Sequence, residues 1–369
     1  YVAAFRAAQG GAKVALIEQD EVGGVCLNRG CIPTKTLLHS AGLYQSIKKA
    51  AEFGVTVSTP TVDFARMNSR KEQVVKTLVG GIQWLLKKNK VQLIKGKAQL
   101  ESAKEIRVNE EIIKSENLII AVGSSPALLP IPGADDPAVI TSDEALSLDR
   151  LPASLAIIGG GVIGVEMAFL FQSLGCAVTI IELMDRLVPM FDAEVSKTLT
   201  EILVKNGITV YTNARVEAIE EGVISYRYNG NLEHLAPEKI LMAVGRRSNG
   251  LSLDLDKVGI KHEKGVIATD NRLRTSVPNI YAIGDVNGKY MLAHVASAEG
   301  IVAVENILGR SCEMSYEAVP QCIYTQPEVA AVGLTQEEAE KEGYRIKVSK
   351  IPLLANGKVD YRKLTELAG

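Results

Sequence analysis

Cys26 and Cys31 are the residues best placed to do chemistry. Four residues separate them, and glycines frame the pair in Gly23-Gly24-Val25-Cys26-Leu27-Asn28-Arg29-Gly30-Cys31-Ile32-Pro33-Thr34-Lys35. An irregular loop of that length permits the Cα approach that a disulfide requires. A helix is expected to follow, and its N-terminal dipole favours a thiolate. The pair therefore reads as a redox couple. Two buried thiols, or half of a metal site, are the other readings of the spacing. A zinc site needs two more ligands, and no second closely spaced Cys/His pair accompanies this one, so no metal is expected. Cys176, Cys312 and Cys322 read as structural thiols.

A second signal is Gly159-x-Gly161-x-x-Gly164, with Val162 and Ile163 between the last two glycines. It follows the apolar run Leu155-Ala156-Ile157-Ile158 and opens an apolar helix, the setting that places a pyrophosphate on free backbone amides. Glu182 ends the next strand, 23 residues after the first glycine. A carboxylate there accepts hydrogen bonds from an adenosine ribose and repels a 2′-phosphate, which favours NAD over NADP. A glycine-rich strand–helix turn with an incidental acid is the plainer reading. Glu18, at the end of Val14-Ala15-Leu16-Ile17, has the same meaning for a second dinucleotide. Gly284-Asp285 at a strand end is ambiguous in isolation. The four histidines, His39, His234, His262 and His294, form no constellation with Ser, Asp or Cys.

The elements that must hold these residues alternate in type. A helix is read over about 62–89, with Val74, Val75, Leu78, Ile82, Leu85 and Leu86 at helical spacing, and this stripe with Trp84 is taken as core. Strand-like runs follow at 91–95, 105–108, 111–113 and 117–122, then a proline-rich passage. Strands near 155–158, 177–182 and 208–211 flank a helix near 193–206, and a last strand ends at Gly284-Asp285. This is an α/β pattern. Among 369 residues, 47% are hydrophobic and 23% charged, which excludes a disordered chain. The net charge of −2 lacks the basic surplus of nucleic-acid binders. No apolar run approaches the ~18 residues of a membrane span, and no signal peptide opens the chain. With few cysteines as well, a cytoplasmic location is expected.

Taken together these residues resemble the disulfide-containing flavoprotein reductases, the class I pyridine nucleotide-disulfide oxidoreductases. The resemblance runs to about Lys358 and rests on the 23–35 segment, the 159–164 turn with Glu166, and Ala243-Val244-Gly245-Arg246-Arg247. It continues in Tyr281-Ala282-Ile283-Gly284-Asp285, Met291-Leu292-Ala293-His294 and Val319-Pro320-Gln321-Cys322-Ile323-Tyr324. It implies two Rossmann-like dinucleotide-binding domains, an FAD domain interrupted by an NAD domain, and the start of an α+β dimerisation domain. The divisions are 1–150 and 271–318 for FAD, 151–270 for NAD, and 319–369 for dimerisation.

The resemblance also implies roles. Cys31 would face the flavin and Cys26 would exchange with substrate, with Lys35 and Glu166 as an ion pair beside the flavin. Glu18, Gly24, Cys26, Lys35, Ala98, Ala121, Gly123, Asp285, Met291, Leu292, Ala293 and His294 would contact FAD. Gly159, Gly161, Val162, Ile163, Gly164, Glu182, Val216 and Gly245 would line NAD. The implied reaction oxidises a dithiol, dihydrolipoamide in the members with the nearest pattern, and reduces NAD+. The implied partners are a lipoyl-bearing protein or small dithiol and a second copy of the chain, with no nucleic acid and no membrane.

Glutathione-reductase-like and mercuric-reductase-like enzymes are the alternatives within the class, and an inactive nucleotide-binding fragment is the alternative outside it. Glu182 argues against the first, and the second usually needs an extra cysteine pair near the C-terminus. The opening helix and strand read as the second half of a βαβ unit, so the chain is expected to begin inside a domain, to lack the family's histidine base and to be inactive as written. The segment 356–363 departs from the reductase pattern.

Overall fold

The structure, a computed structural model, describes residues 1–351. The 356–363 segment therefore lies outside the described residues. Its centre is a five-stranded parallel sheet in the order Thr209–Tyr211, Ala177–Ile181, Ser154–Ile158, Lys239–Met242, Val139–Ile140. Ser154-Leu-Ala-Ile-Ile is apolar at successive positions because both of its faces are covered, as parallel sheets require. Ala156 and Ile157 are fully buried. The helix Val162–Ser173 packs on this sheet and is buried nearly all round, with the helix Cys31–Lys48 on its other side. Phe171, Leu170, Met167 and Leu37 share that core.

A second unit of the same class is built from the segments that flank the first in sequence. Ala15–Glu18 pairs in parallel with Gln92–Lys95, and Leu118–Ile120 pairs in parallel with Ile280–Ala282. The helix Val2–Gln9 lies against the helix Ala293–Ile307, burying Ala3 and Ala7 beside Val302, Ala303 and Ile283. An antiparallel meander, 98–114, covers one end through Leu100, Ile106 and Val108. The chain leaves this unit at Ser124–Pro126 and returns at Arg246–Ser248. Those two segments pair antiparallel, with Ser124 opposite Ser248. Residues from 319 onward begin a third part, in which Gln321–Ile323 pairs with Val329–Ala331.

Three expectations are corrected by this fold. The 23–35 segment is not an irregular loop but two helices, Gly24–Arg29 and Cys31–Lys48. Gly23 and Gly24 supply the positive φ that starts the first helix, and Asn28 Nδ2 closes it by donating to the Val22 and Gly24 carbonyls. Trp84 is not core: it is 59% exposed, with the Lys88 ammonium over its ring. In the helix Phe64–Lys88 the buried line is Ile82 and Leu86, four apart, and Trp84 at two residues from each points the other way. Leu78 and Leu85 are exposed with it. Cys322 is also exposed, because alternation along its strand turns Ile323 inward and Cys322 out.

Candidate functional site

Cys26 and Cys31 are joined as a disulfide, with Cα atoms 4.6 Å apart. One stands within a short helix and the other opens the next. Gly30, at φ −140° and ψ −111°, breaks the run between them. The sulfur of Cys31 thus starts an 18-residue helix, where unpaired amides and the dipole favour negative charge.

Lys35 follows Cys31 by one helical turn on the same face. Its ammonium donates to both carboxylate oxygens of Glu166, at 3.0 and 2.9 Å. Glu166 belongs to the helix Val162–Ser173 and is almost wholly buried. A buried carboxylate is costly unless every oxygen is satisfied. The remaining partner is the backbone N–H of Tyr324, which donates to Glu166 Oε1 at 2.9 Å. The Tyr324 ring also covers Lys35, its centroid 4.4 Å from the ammonium.

The glycine turn has two different requirements. A Cβ on Gly164 would collide with the Gly159 carbonyl oxygen, so the helix can approach the strand only without a side chain. Gly161 has open space instead, with nothing within 4 Å of a Cβ position. The turn therefore offers backbone amides to a ligand at one glycine and packs tightly at the other. Glu182 is buried beneath the turn: Oε2 accepts the Gly160 N–H at 2.5 Å and Oε1 accepts the Met184 N–H at 2.6 Å.

On the opposite wall, Asp285 sits on the turn after Ile280–Ala282 and accepts from the Ser124 hydroxyl. Arg246 donates to Ser124 Oγ and to the Ser124 carbonyl, both at 2.7 Å, and lies 3.9 Å from Asp285. Behind this turn, the fully buried Glu299 accepts from Gly284 N–H at 2.5 Å, Asn287 Nδ2 at 2.9 Å and Tyr316 hydroxyl at 2.7 Å. Burial, followed by that hydrogen bond, pushes the Tyr316 phenol up. Burial likewise raises the Glu18 carboxyl, with Lys95 opposing.

A continuous cleft of about 3200 Å³ runs past both walls. It is lined by Glu18, Gly24, Cys26, Cys31, Lys35, Ala98, Ala121, Gly123, Gly159, Gly161, Val162, Ile163, Glu166, Glu182, Val216, Gly245, Asp285, Met291, Leu292, Ala293 and His294. Gly164 stands behind the lining. His39, His234 and His262 do not join the cleft lining. Among the described residues no cluster of His, Cys, Asp and Glu is arranged to hold a metal. Sequence reasoning missed Tyr324, Ser124, Arg246 and Glu299 as site residues. Tyr324 and Arg246 stood inside motifs quoted above, whereas Ser124 and Glu299 carried no local pattern.

The residues present fit two dinucleotides. Two glycine-bearing turns, a strand-end acid on each side and helix N-termini at Val162 and Ala293 all open on one cleft long enough to pass the disulfide between them. Comparison with known proteins gives the same picture. A family model described as pyridine nucleotide-disulphide oxidoreductase matches residues 1–300, and one for the dimerisation domain of that family matches 319–368. The chain is 44% identical over 363 residues to a dihydrolipoyl dehydrogenase of Chlamydia pneumoniae, covering 97% of this chain and 78% of the relative. It is 46% identical over 313 residues to the dihydrolipoyl dehydrogenase of Acholeplasma laidlawii, covering 84% and 93%. Among solved structures, the HOCl-induced flavoprotein disulfide reductase RclA from Escherichia coli matches with a TM-score of 0.83 at 33% identity, covering 96% of this chain and 79% of that one.

Proposed function

We propose a dihydrolipoyl dehydrogenase activity for this chain, which belongs to the pyridine nucleotide-disulphide oxidoreductase family. It is a flavin-dependent dithiol–disulfide oxidoreductase that uses FAD and NAD. The observation that carries this reading is the Cys26–Cys31 disulfide with the Lys35–Glu166 pair one helical turn away, all on a single cleft.

The protein's own residues account for the thiol chemistry. One substrate thiolate attacks Cys26 Sγ, the Cys26–Cys31 bond breaks, and Cys31 leaves as a thiolate. The second substrate thiol attacks the substrate sulfur of that mixed disulfide, so that Cys26 leaves in turn and takes up the proton the thiol gives up. The substrate ends as a disulfide, and its two electrons reside on the cysteine pair. The direction of such exchange follows relative potentials. Cys31, at a helix start with Lys35 one turn on, is the better-stabilised thiolate, which suits it as the first leaving group. When bound, FAD supplies the two-electron acceptor for the reduced pair and NAD+ the final acceptor. Glu18, Gly24, Ala98, Ala121, Gly123, Asp285 and residues 291–294 would hold FAD; Gly159, Gly161, Val162, Ile163, Glu182, Val216 and Gly245 would hold NAD, while Gly164, expected among them, instead lets the helix approach the strand behind the lining.

The reading extends to organisation and partners. Residues 1–126 and 246–318 would form the FAD domain, 127–245 the NAD domain, and 319–369 part of a dimerisation domain. The bounds at 150 and 270 read from the sequence move to the pairing of Ser124–Pro126 with Arg246–Ser248, because Val139–Ile140 joins the five-stranded sheet and Leu253, Leu255 and Ile260 pack with Leu100 and Ile106. The protein acts as a homodimer on a lipoyl-bearing protein or a small dithiol. Among the described residues no helix is long and apolar enough to cross a membrane, and we place the protein in the cytoplasm. The test is dihydrolipoamide-dependent NADH formation by the FAD-loaded protein, followed by absorbance. Failure to form NADH with dihydrolipoamide, alongside turnover of another dithiol or disulfide, would reassign the substrate.

A further inference from the structure

We infer that Tyr324 is a positioning residue for the redox pair, its backbone holding Glu166 and its ring holding Lys35 one helical turn from Cys31. The inference rests on the dithiol oxidoreductase reading of that pair. Three separate stretches of chain meet here. Lys35 comes from the helix that Cys31 opens, Glu166 from the helix after the glycine turn, and Tyr324 from the end of Gln321–Ile323. Among the described residues Tyr324 alone touches both charges: its N–H donates to Glu166 Oε1 at 2.9 Å, and its ring centroid lies 4.4 Å from Lys35 Nζ.

The Lys35 side chain is 32% exposed, so water competes with Glu166 for the ammonium. The Tyr324 ring, 4.4 Å from the ammonium, attracts the cation and covers part of it from water. Held by a carboxylate and a ring together, the lysine swings less into solvent on its four-carbon stem. Confinement matters because the field of a cation on a thiolate falls with distance. The charged or titratable groups that face Tyr324 are Lys35, Cys322, Glu328 and Glu166; burial first, then the last three, push its phenol up. The ring therefore stays a neutral phenol.

The experiment reads the reactivity of Cys31, not only turnover. The FAD-loaded protein is reduced with a phosphine, alkylated over a pH series, and Cys31 modification is followed by residue-specific mass spectrometry. In Tyr324→Leu the midpoint for Cys31 is expected to rise, by no more than about half a pH unit, the equivalent of the whole of an exposed cation–π contact. Tyr324→Phe keeps the ring and is expected to restore the original midpoint. If Tyr324→Leu fails to fold, phenylalanine analogues with one, two and three ring fluorines at 324 weaken the ring face while keeping its shape. The midpoint is then expected to climb with each fluorine. An unchanged midpoint in the leucine variant, an equal shift in leucine and phenylalanine, or no trend along the fluorinated series overturns the role. Failure of the underlying reading looks different: the unaltered protein shows no dithiol turnover at all.

Discussion

The carboxylate of Glu182 accepts two backbone N–H groups, from Gly160 at 2.5 Å and from Met184 at 2.6 Å. It therefore shapes the glycine turn from below as well as presenting negative charge where a ribose is expected to dock. The two duties predict different outcomes for different substitutions. Glu182→Arg should lower kcat/KM for NAD and raise it for NADP, since a 2′-phosphate then meets a cation. It should also leave the buried Gly160 donor without an acceptor, at a cost of about 1–3 kcal/mol, and the more exposed Met184 donor to water. Glu182→Gln keeps an acceptor and should melt closer to the parent. Equal use of both coenzymes by the unaltered protein, or an undiminished melting temperature in the arginine variant, would contradict this account.

Gly161 and Gly164 should separate binding from stability. Gly164→Ala drives a Cβ into the Gly159 carbonyl, so the helix Val162–Ser173 must shift; we expect a loss of about 1–3 kcal/mol, the usual cost of overpacking. Gly161→Ala meets nothing within 4 Å and has an ordinary φ of −72°, so folding should be nearly unaffected. NAD binding should nevertheless weaken, because the methyl occupies the space a pyrophosphate approaches. Denaturant unfolding and NAD titration by fluorescence check both arms. A Gly161→Ala variant that binds NAD as the parent does would move the pyrophosphate elsewhere.

Cys26→Ser removes the sulfur that receives the substrate. Dihydrolipoamide oxidation should fall below detection, while FAD retention, read from bound-flavin absorbance, stays at parental level. Retained dihydrolipoamide oxidation in this variant would take Cys26 out of the exchange.

The remaining thiols are expected to differ from the redox pair in pH response. Burial, with the nearby Glu238 charge second, pushes the Cys176 thiol up to about 12. A thiol raised that far is overwhelmingly protonated, and so unreactive, at pH 8–9. Cys176 should therefore resist iodoacetamide at pH 8–9, where the reduced Cys26 and Cys31 are modified. Mass mapping of the alkylated native protein reads this directly, and early labelling of Cys176 would show that its environment opens.

Much of the site was legible in the sequence because its signals are local. The strand–glycine–helix run at 155–173 combines an apolar stretch, a spacing and an acid, and each part means the same thing physically wherever it folds. The Cys26–Cys31 spacing with its glycine frame likewise pointed to a redox pair, although not that both cysteines stand in helices. The helix Gly24–Arg29 is too short to show a helical period, and Asn28's bonds to the Val22 and Gly24 carbonyls are invisible before folding. Trp84 misled because an aromatic residue counts as core by type, whereas its angular position relative to Ile82 and Leu86 decides its fate. Tyr324 and Glu166 lie 158 residues apart, and no pattern in either neighbourhood announces a bond between a backbone amide and a distant carboxylate.

The neck where Ser124 pairs with Ser248 has a kinetic consequence. Leu118–Ile120 and Ile280–Ala282 must find each other across about 160 residues, a slow closure if the intervening chain is still a coil. Once the five-stranded sheet has formed and its neck has zipped, the same closure spans only about 40 free residues, and the entropy opposing it drops by roughly 1.2 kcal/mol. The molecule should thus assemble from the inside outward. In pulse-labelled hydrogen exchange during refolding, Ser154–Ile158 should gain protection before Ile280–Ala282, and the reverse order would show that the outer strands nucleate without help from the neck.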